Sequence, residues 1–381
     1  MERTTVRTGF RKIASMDTEL WRPDEQAFTS QRKAQADRET TLSLRKAVLR
    51  IVGFCAIIIL AACVVNRMVT TGLRNIKTSA FGALNQVMDG KVNADVVITG
   101  SSRALAHYDP RVIEAITGRT AFNLGRNGSQ TDMQVAFLKA YLDHNRQPQI
   151  VIHNLDAFSF VTTREVFNQV EYTPYLYDRE LYDALWKINP NIWKSRDVPL
   201  YGYVVEDMNF SWILGLKGFF GWSPREDYSL GFNPRRKQWS EDFDRFKADR
   251  PSGISFEIEP AGVRSIEDLI DLCQRRGIQL IFVYSPEYGG MQAMTANRRE
   301  IFHQFHELSN RHDVPLWDYS NWKYADDREY FQNSQHLNAE GAAVFSEDLA
   351  NRLKLYLVAQ GKAADVARTR VGGISSAARL Y

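Results

Sequence analysis

The 381-residue chain is 44% hydrophobic and 24% charged, and its formal net charge is +3. This composition is sufficient to bury a substantial core, and it excludes both a chain disordered throughout and a protein with many membrane spans. The balanced charge, without a basic stripe, zinc pattern or aromatic RNA-binding motif in the sequence, also argues against nucleic acid as a partner.

The N-terminal part divides into a polar tail and an apolar run. Residues 1–46 are rich in Arg, Ser, Thr and Gln, which predicts a disordered cytoplasmic tail. Residues 47–69 contain an uncharged run between Arg50 and Arg67 and reach the roughly 20 residues that a transmembrane helix needs. Lys and Arg are more frequent before the run than after it, so the positive-inside rule places the N-terminus in the cytoplasm. We therefore expect a single-pass protein of the bacterial inner membrane, with its C-terminal domain periplasmic or otherwise extracytoplasmic.

Two other interpretations of the apolar run remain open. The stretch Leu60-Ala-Ala-Cys63 is similar to a lipobox, which would make Cys63 a lipidated N-terminus after cleavage. A buried helix of a soluble domain is the second alternative. Because Cys55 and Cys63 both lie in this run, Cys273 is alone in the outer domain, where the sequence predicts no intramolecular disulfide.

Strand and helix patterns alternate beyond a short helical connector at residues 70–94. Parallel strands joined by crossover helices produce such an alternation, so the sequence predicts an α/β domain over 95–357, a three-layer, doubly wound, flavodoxin-like parallel sheet. The predicted strands are Val96–Thr99, Ala121–Leu124, Gln149–Asn154, Ile278–Tyr284 and Pro315–Trp317. The predicted helices are Pro110–Thr117, Thr131–His144, Val263–Arg276, Ala296–His312 and Ala339–Leu357.

The alternation stops in an aromatic-rich insertion at residues 157–260. An insertion after the third strand would overhang the carboxyl edge of the sheet, where its aromatic side chains could form a lid or a glycan-binding wall. The same residues could equally pack a satellite core of their own. The last residues, 358–381, form a C-terminal tail, and the small, polar residues after Lys362 are predicted to be disordered.

The first candidate site residue is Ser102, in the stretch Gly100-Ser-Ser-Arg103 directly after the first strand. A serine at a strand-to-helix turn is held rigidly at the carboxyl edge of the sheet, near backbone N–H groups that favour negative charge. Such a position suits a nucleophile. The alternative is that the two serines only cap the following turn.

Two further stretches lie at corresponding places. Asn123-Leu-Gly-Arg-Asn-Gly128 follows the second strand, and its Gly125 could offer an N–H to an oxyanion. Asn333-Ser-Gln-His336 precedes the last helix, and His336 is the histidine best placed to be a base. No set of His, Asp and Glu shows metal-ligand spacing, so we predict no metal and no cofactor.

Together these three stretches resemble the SGNH (GDSL-like) hydrolases. Members of that family have a Gly-x-Ser nucleophile block, an Asn-x-Gly-x-x-Gly block and a histidine before the last helix, as at Gly100–Ser102, Asn123–Gly128 and His336 here. The sequence looks most like the membrane-anchored branch that includes teichoic acid D-alanylation and alginate O-acetylation proteins. The resemblance implies a serine-dependent O-acyltransferase, with acetyl as the expected acyl group, or an esterase. Either would act on a cell-surface or exported polysaccharide beside a membrane-bound O-acyltransferase.

The family pattern implies roles for several residues, and this sequence departs from it in two places: before His336, and after the third strand, where His153-Asn-Leu-Asp156 stands for the usual Gly-x-Asn-Asp. Ser102 would be the nucleophile and His336 the base, with Ser102 N–H, Gly125 N–H and Asn154 as oxyanion donors. Asn333 stands where the family usually has Asp, so it could orient the imidazole but not stabilise the imidazolium. Three nearby carboxylates could supply the missing charge: Asp318, Asp326 and Asp327.

The remaining candidate site residues are two arginines. Arg103 and Arg126 flank the serine and glycine blocks and could hold an anionic sugar, or could be plain surface charge. The alternative function is a non-catalytic scaffold of SGNH shape that binds glycan through the aromatic insertion and docks on a membrane-bound O-acyltransferase.

Overall fold

The computed structural model describes residues 25–205 and 210–377, and the chain divides into two units, residues 1–61 and 62–381. The first helix, α1 (Glu25–Asn75), begins in the first unit and ends in the second. It is long and apolar enough to cross a membrane, and the side chains of residues 28–61 are exposed. This agrees with the expected single membrane-spanning segment.

The prediction of a disordered tail over residues 1–46 is wrong for residues 25–46, which are helical. This stretch contains neither Gly nor Pro, and extending an existing helix costs much less than starting a new one. Residues 1–24 lie outside the described part of the chain.

A five-stranded parallel sheet forms the centre of the second unit, as the sequence predicted. Its strand order is β2-β1-β3-β4-β5, so the chain reverses its direction of winding between β1 and β3. The strands are β1 (Val96–Thr99), β2 (Ala121–Asn123), β3 (Ile150–Asn154), β4 (Gln279–Tyr284) and β5 (Leu316–Asp318). In register, Val97 of β1 lies opposite Phe122 of β2 and Val151 of β3.

Helices cover both faces of this sheet because its strands are apolar on both sides. Val97 and Val151 point into one core, while Ile98 and Ile152 point into the other. The helices between α1 and β3 are α2 (Ser79–Met88), α3 (Ser102–His107), α4 (Pro110–Thr117) and α5 (Thr131–His144). Those between β3 and β4 are α6 (Arg179–Ile188), α7 (Ile192–Asp197), α8 (Tyr201–Val204), α9 (Ser211–Phe219), α10 (Asp242–Asp249) and α11 (Pro260–Arg275). The last three are α12 (Gly289–Met294), α13 (Arg298–His312) and α14 (Ala339–Ala377).

The C-terminal prediction is also corrected, because α14 continues through residues 358–377, although the residues after Lys362 were expected to be disordered. Five alanines occupy these twenty positions, and Ala has the highest helix propensity of any residue. The helix therefore continues beyond Leu353, a side chain of α14 buried in the core.

The aromatic insertion at 157–260 contributes to the cores on both faces of the sheet. Tyr172 and Tyr175 are buried with α5 and α11, whereas Phe232 is buried on the opposite face, with Tyr108 and Trp317. Other aromatic side chains of the insertion are exposed: Phe167, Tyr177, Trp186, Trp193, Phe210, Phe219, Phe220 and Trp222. The insertion is thus partly core, and a glycan-binding role for its exposed rings stays a prediction.

Candidate active site

Ser102 is the first residue of α3, reached through a tight turn after β1. Gly100 has a φ of +145°, and a Cβ at this position would lie 2.8 Å from the Cβ atoms of both Ala104 and Asn154. Only glycine fits such a turn. Ser101 is buried and caps the helix by accepting a hydrogen bond from Arg103 N–H at 3.2 Å. Capping thus falls to Ser101, which leaves the half-buried hydroxyl of Ser102 for other chemistry.

The loop before α14 places His336 directly on that hydroxyl. Its Nε2 lies 2.7 Å from Ser102 Oγ, and its Nδ1 lies 3.0 Å from Asn333 Oδ1. The structure therefore brings together three predicted site residues whose serine and histidine are 234 positions apart in the chain. Their arrangement is a nucleophile, a base and a group that orients the base.

The hydrogen bonds around Asn333 fix the tautomer of the neutral imidazole. Asn333 Oδ1 accepts from the backbone N–H groups of Gln335 at 3.0 Å and His336 at 2.9 Å. An N–H can be received only by the carbonyl oxygen of an amide side chain, so this oxygen, and not the NH₂ group, faces the ring. His336 Nδ1 must then carry the proton and donate it to Asn333. Nε2 is left with a lone pair directed at Ser102, the tautomer that a general base requires.

The base is neutral and weak. Burial, followed by the positive charges of Arg235 and Arg103, lowers the pKa of His336 to about 3. The imidazole consequently carries no charge near neutral pH, and any proton it receives from Ser102 is held at high energy. Among the described residues, no carboxylate hydrogen-bonds to His336.

The three carboxylates suggested by the sequence lie elsewhere. Asp318 accepts hydrogen bonds from the backbone and hydroxyl of Ser320. Asp327 caps a short 3₁₀ turn through Glu329 N–H at 3.0 Å, and the carboxylate of Asp326 lies against Gly289. None of these carboxylates lies beside the imidazole.

Gly125 has a packing role that the sequence did not reveal. A Cβ on it would lie 2.3 Å from the backbone N of Leu105, so the glycine permits close contact between this turn and α3. Its N–H donates to Asn123 Oδ1 at 2.8 Å, while Asn123 Nδ2 donates to the carbonyls of Ala104 and Tyr108 at 2.7 and 2.9 Å. The predicted oxyanion donor is thus already engaged within the protein in this arrangement.

Asn154 is likewise engaged and is fully buried at the end of β3. Its Oδ1 accepts from Tyr108 Oη at 2.7 Å, and its Nδ2 donates to Leu155 O at 3.2 Å and Asp156 Oδ1 at 3.1 Å. Of the oxyanion donors expected from the sequence, Ser102 N–H is the one whose place in the fold suits the role. As the first residue of α3, it has no carbonyl within the helix to bond.

The expected sugar-binding role of the two arginines is corrected, because both are buried. Arg103 is 3% exposed, pairs with Asp156 Oδ1 at 3.1 Å, and donates to the carbonyl of Ser285. Arg126 is 6% exposed and lies 3.6 Å from Glu171. Neither guanidinium is at the surface, so a direct contact with a polysaccharide is not open to either.

Sequence reasoning missed His107, which supports the loop that carries His336. The backbone N–H of Leu337 donates to His107 Nε2 at 3.0 Å, so the ring proton is on Nδ1, which lies 3.0 Å from Ser285 Oγ. The ring also meets the His336 ring edge-on, with centroids 6.3 Å apart. Its partners are 178 and 230 residues away in the chain, and no local pattern marks them.

Arg235, from the aromatic insertion, supplies positive charge at the site. It is partly exposed, its Nη2 donates to Asn127 Oδ1 at 2.7 Å, and its charge acts on both His336 and His107. The backbone carbonyl of Arg235 accepts from Ala339 N–H at 2.8 Å, which ties the insertion to the start of α14. This arginine is better placed than Arg103 or Arg126 to meet an anion.

Within the described residues there is no group of three or more His, Cys, Asp or Glu side chains that could hold a metal ion. In comparisons with known proteins, no family model and no curated sequence matches this chain.

Proposed function

We propose that this chain is a serine-dependent O-acyltransferase or esterase. The observation that carries the proposal is the hydrogen-bonded series Ser102 Oγ, His336 and Asn333 Oδ1, with distances of 2.7 and 3.0 Å. A serine hydroxyl, an imidazole in the acceptor tautomer and an orienting amide are the parts that acyl transfer through a covalent intermediate requires. Related sites with asparagine as the third member occur among cysteine proteases.

The reaction proceeds in two balanced steps. Ser102 Oγ attacks the carbonyl carbon of an acyl ester while His336 Nε2 takes the hydroxyl proton. The tetrahedral intermediate then breaks its bond to the leaving oxygen, which receives that proton from His336. Water or a sugar hydroxyl attacks the acyl-serine in the second step, giving its proton to Nε2, and the proton returns to Ser102.

Charge on the intermediate would be balanced from two directions. Ser102 N–H lies at the start of α3, and Arg235 contributes its positive charge from the insertion. The same arginine disfavours protonated His336, so its charge weakens the base while it stabilises the oxyanion. We expect modest turnover, since Asn333 holds the ring without stabilising its charged form.

The substrate and setting in this proposal come from the resemblance to the membrane-anchored SGNH proteins. We propose that the domain lies outside the cytoplasmic membrane and modifies a cell-surface or exported polysaccharide beside a membrane-bound O-acyltransferase. A long apolar helix near the N-terminus supports the membrane anchor. Exposed rings of the insertion, such as Trp186 and Trp193, are available for stacking on sugars.

A non-catalytic scaffold is the second candidate, and one observation favours it. His336 has a low pKa and no carboxylate partner among the described residues, which is the arrangement expected if selection for turnover has been lost. Glycan binding and docking on a membrane partner would then be the whole function.

Turnover by the purified full-length chain separates the two candidates. We expect slow hydrolysis of p-nitrophenyl acetate, reduced at least about 10³-fold by Ser102→Ala, because removing a nucleophile disables the acyl-enzyme route. Ser101→Ala is the matched control, since that hydroxyl caps α3 and is not bonded to His336; its activity should remain within about threefold of wild type. Equal activity in wild type and Ser102→Ala would favour the scaffold.

A further inference from the structure

An exposed apolar patch lies on α9 and on the residues directly before and after it. Among the described residues beyond α1, fourteen large hydrophobic side chains are exposed, and five of these fall within residues 210–222. We call these five the α9 patch: Phe210, Ile213, Phe219, Phe220 and Trp222. Phe220 is the most open of them, at 79% exposure. Concentrated apolar exposure of this kind marks a surface that meets another apolar phase.

The patch is rigidly attached to the last turns of α1. A Cβ on Gly72 would lie 1.7 Å from the carbonyl oxygen of Gly215, and one on Gly218 would lie 2.3 Å from the carbonyl oxygen of Gly72. The two helix backbones are therefore in direct contact through glycines, as in the close helix pairs of membrane proteins. Around this contact, Val69 and Leu73 are completely buried and pack against α9 side chains that include Trp212.

This attachment places the patch beside the end of the apolar run of α1. Val64 is still 53% exposed, and Arg67 follows three positions later. At about 1.5 Å rise per residue, the contacts at Val69 and Gly72 lie roughly 8 and 12 Å along the helix from Val64. That distance corresponds to the headgroup region bordering the hydrocarbon of a bilayer that α1 crosses.

The chemistry of residues 210–222 suits that depth. Lys217 is the single charged residue in this stretch and no acidic residue occurs in it. The Lys217 ammonium lies 5.2 Å from the centre of the Trp222 ring. Aromatic rings with a neighbouring cation are typical of segments that lie in the interfacial plane, where the rings enter the apolar boundary and the cation meets lipid phosphate.

We propose that the α9 patch is a second membrane-contacting element, which inserts into the leaflet adjoining the second unit and fixes the orientation of that unit on the bilayer. The occupant of this surface is lipid. The inference stands independently of the proposed acyl transfer, because it uses no residue of the Ser102 site.

Fluorescence of a label in full-length protein tests this proposal. Cys55 and Cys63 are replaced by Ala, buried Cys273 is retained, and an NBD label is placed at Phe220→Cys or, as a matched control, at Leu355→Cys on α14, which is 72% exposed. Each chain is reconstituted singly in a nanodisc of phosphatidylcholine and phosphatidylglycerol. We expect doxyl-phosphatidylcholine to quench the label at 220 at least threefold more than the label at 355, and aqueous iodide to show the reverse order.

Iodide quenching at 220 equal to that at 355 in single-copy nanodiscs would overturn the proposal. Protection of position 220 that appears only when many copies share a vesicle would also overturn it, because a second copy of the chain would then be the occupant. Since Phe220 is largely exposed, its replacement removes little packing, and unchanged thermal unfolding of both labelled proteins verifies that the fold is intact.

Discussion

Asn333→Asp should convert the weak base into a strong one. The substituted carboxylate would keep one oxygen where Asn333 Oδ1 now accepts from two backbone N–H groups and from His336 Nδ1 at 3.0 Å. With charge centres about 4 Å apart and an effective dielectric constant of about 20, the ion pair is worth about 4 kcal/mol. This corresponds to about three pKa units, which would move the pKa of His336 from about 3 to about 6.

The effect is measured in two ways on the full-length protein. NMR of ring-labelled histidine gives the pKa of His336 directly, with His336→Gln assigning its signal among the seven histidines. The pH–rate profile for p-nitrophenyl acetate should show a new limb near pH 6 and a gain in kcat/KM of up to about 10³-fold, since 4 kcal/mol corresponds to about three factors of ten. An unshifted pKa of His336 in a folded Asn333→Asp protein would refute the reasoning.

Three further predictions concern the framework around the site. Gly125→Ala should lower the free energy of unfolding by about 1–3 kcal/mol in urea titrations, because its Cβ would meet the backbone N of Leu105 at 2.3 Å. Asp156→Asn should cost about 3–5 kcal/mol, because it leaves the buried charge of Arg103 without its partner. Burial lowers the pKa of His153 from 6.5 to about 3, so between these two pH values the unfolded chain binds a proton that the folded protein does not. The free energy of unfolding therefore falls as the pH falls. His153→Gln should reduce the loss of this free energy between pH 7 and pH 5 by about 2 kcal/mol.

Each framework prediction has a control or a contrary outcome. Gly53→Ala adds a Cβ with nothing within 4 Å, at a position inside α1 where Ala is a better helix former than Gly, so it should not lower stability as Gly125→Ala does. Asp89→Asn removes a partly exposed ion pair with Arg74 and should cost less than about 1 kcal/mol; a similar cost for Asp156→Asn would contradict the role given to the buried pair. A pH dependence unaffected by His153→Gln would show that the group is not held neutral by burial.

The strands and most helices of the fold could be predicted because the residues that begin and end each of them are close together in the sequence. Each strand is a short apolar run closed by a polar or turn residue, and helices such as Pro110–Thr117 carry their own start and stop residues. The two tail predictions failed for a related reason. The composition of residues 25–46 and 358–377 shows only that they cannot form a packed core of their own. It does not show that each stretch continues a helix that has already formed, α1 or α14.

In the candidate site, too, residues marked by local sequence could be predicted, whereas roles that depend on tertiary contacts could not. Ser102 and His336 could be found because a strand end and a helix start are visible in the sequence, and parallel topology brings them to one edge. The environment of Arg103 could not be predicted from the sequence, because its partners, Asp156 and the Ser285 carbonyl, are brought to it by tertiary packing. Gly125 was recognised as special, but its packing against Leu105 is likewise a tertiary contact.

Mapping of a covalent adduct is the most direct test of the central claim that Ser102 is a nucleophile activated by His336. Full-length protein is treated with a fluorophosphonate, digested, and the modified peptide is identified by mass spectrometry. We predict a single adduct on Ser102, absent in Ser102→Ala and slowed at least about 10²-fold in His336→Gln, because proton removal by a positioned base contributes about 10²–10⁴-fold. A folded protein that remains unlabelled at Ser102, or that labels equally well without His336, would contradict it.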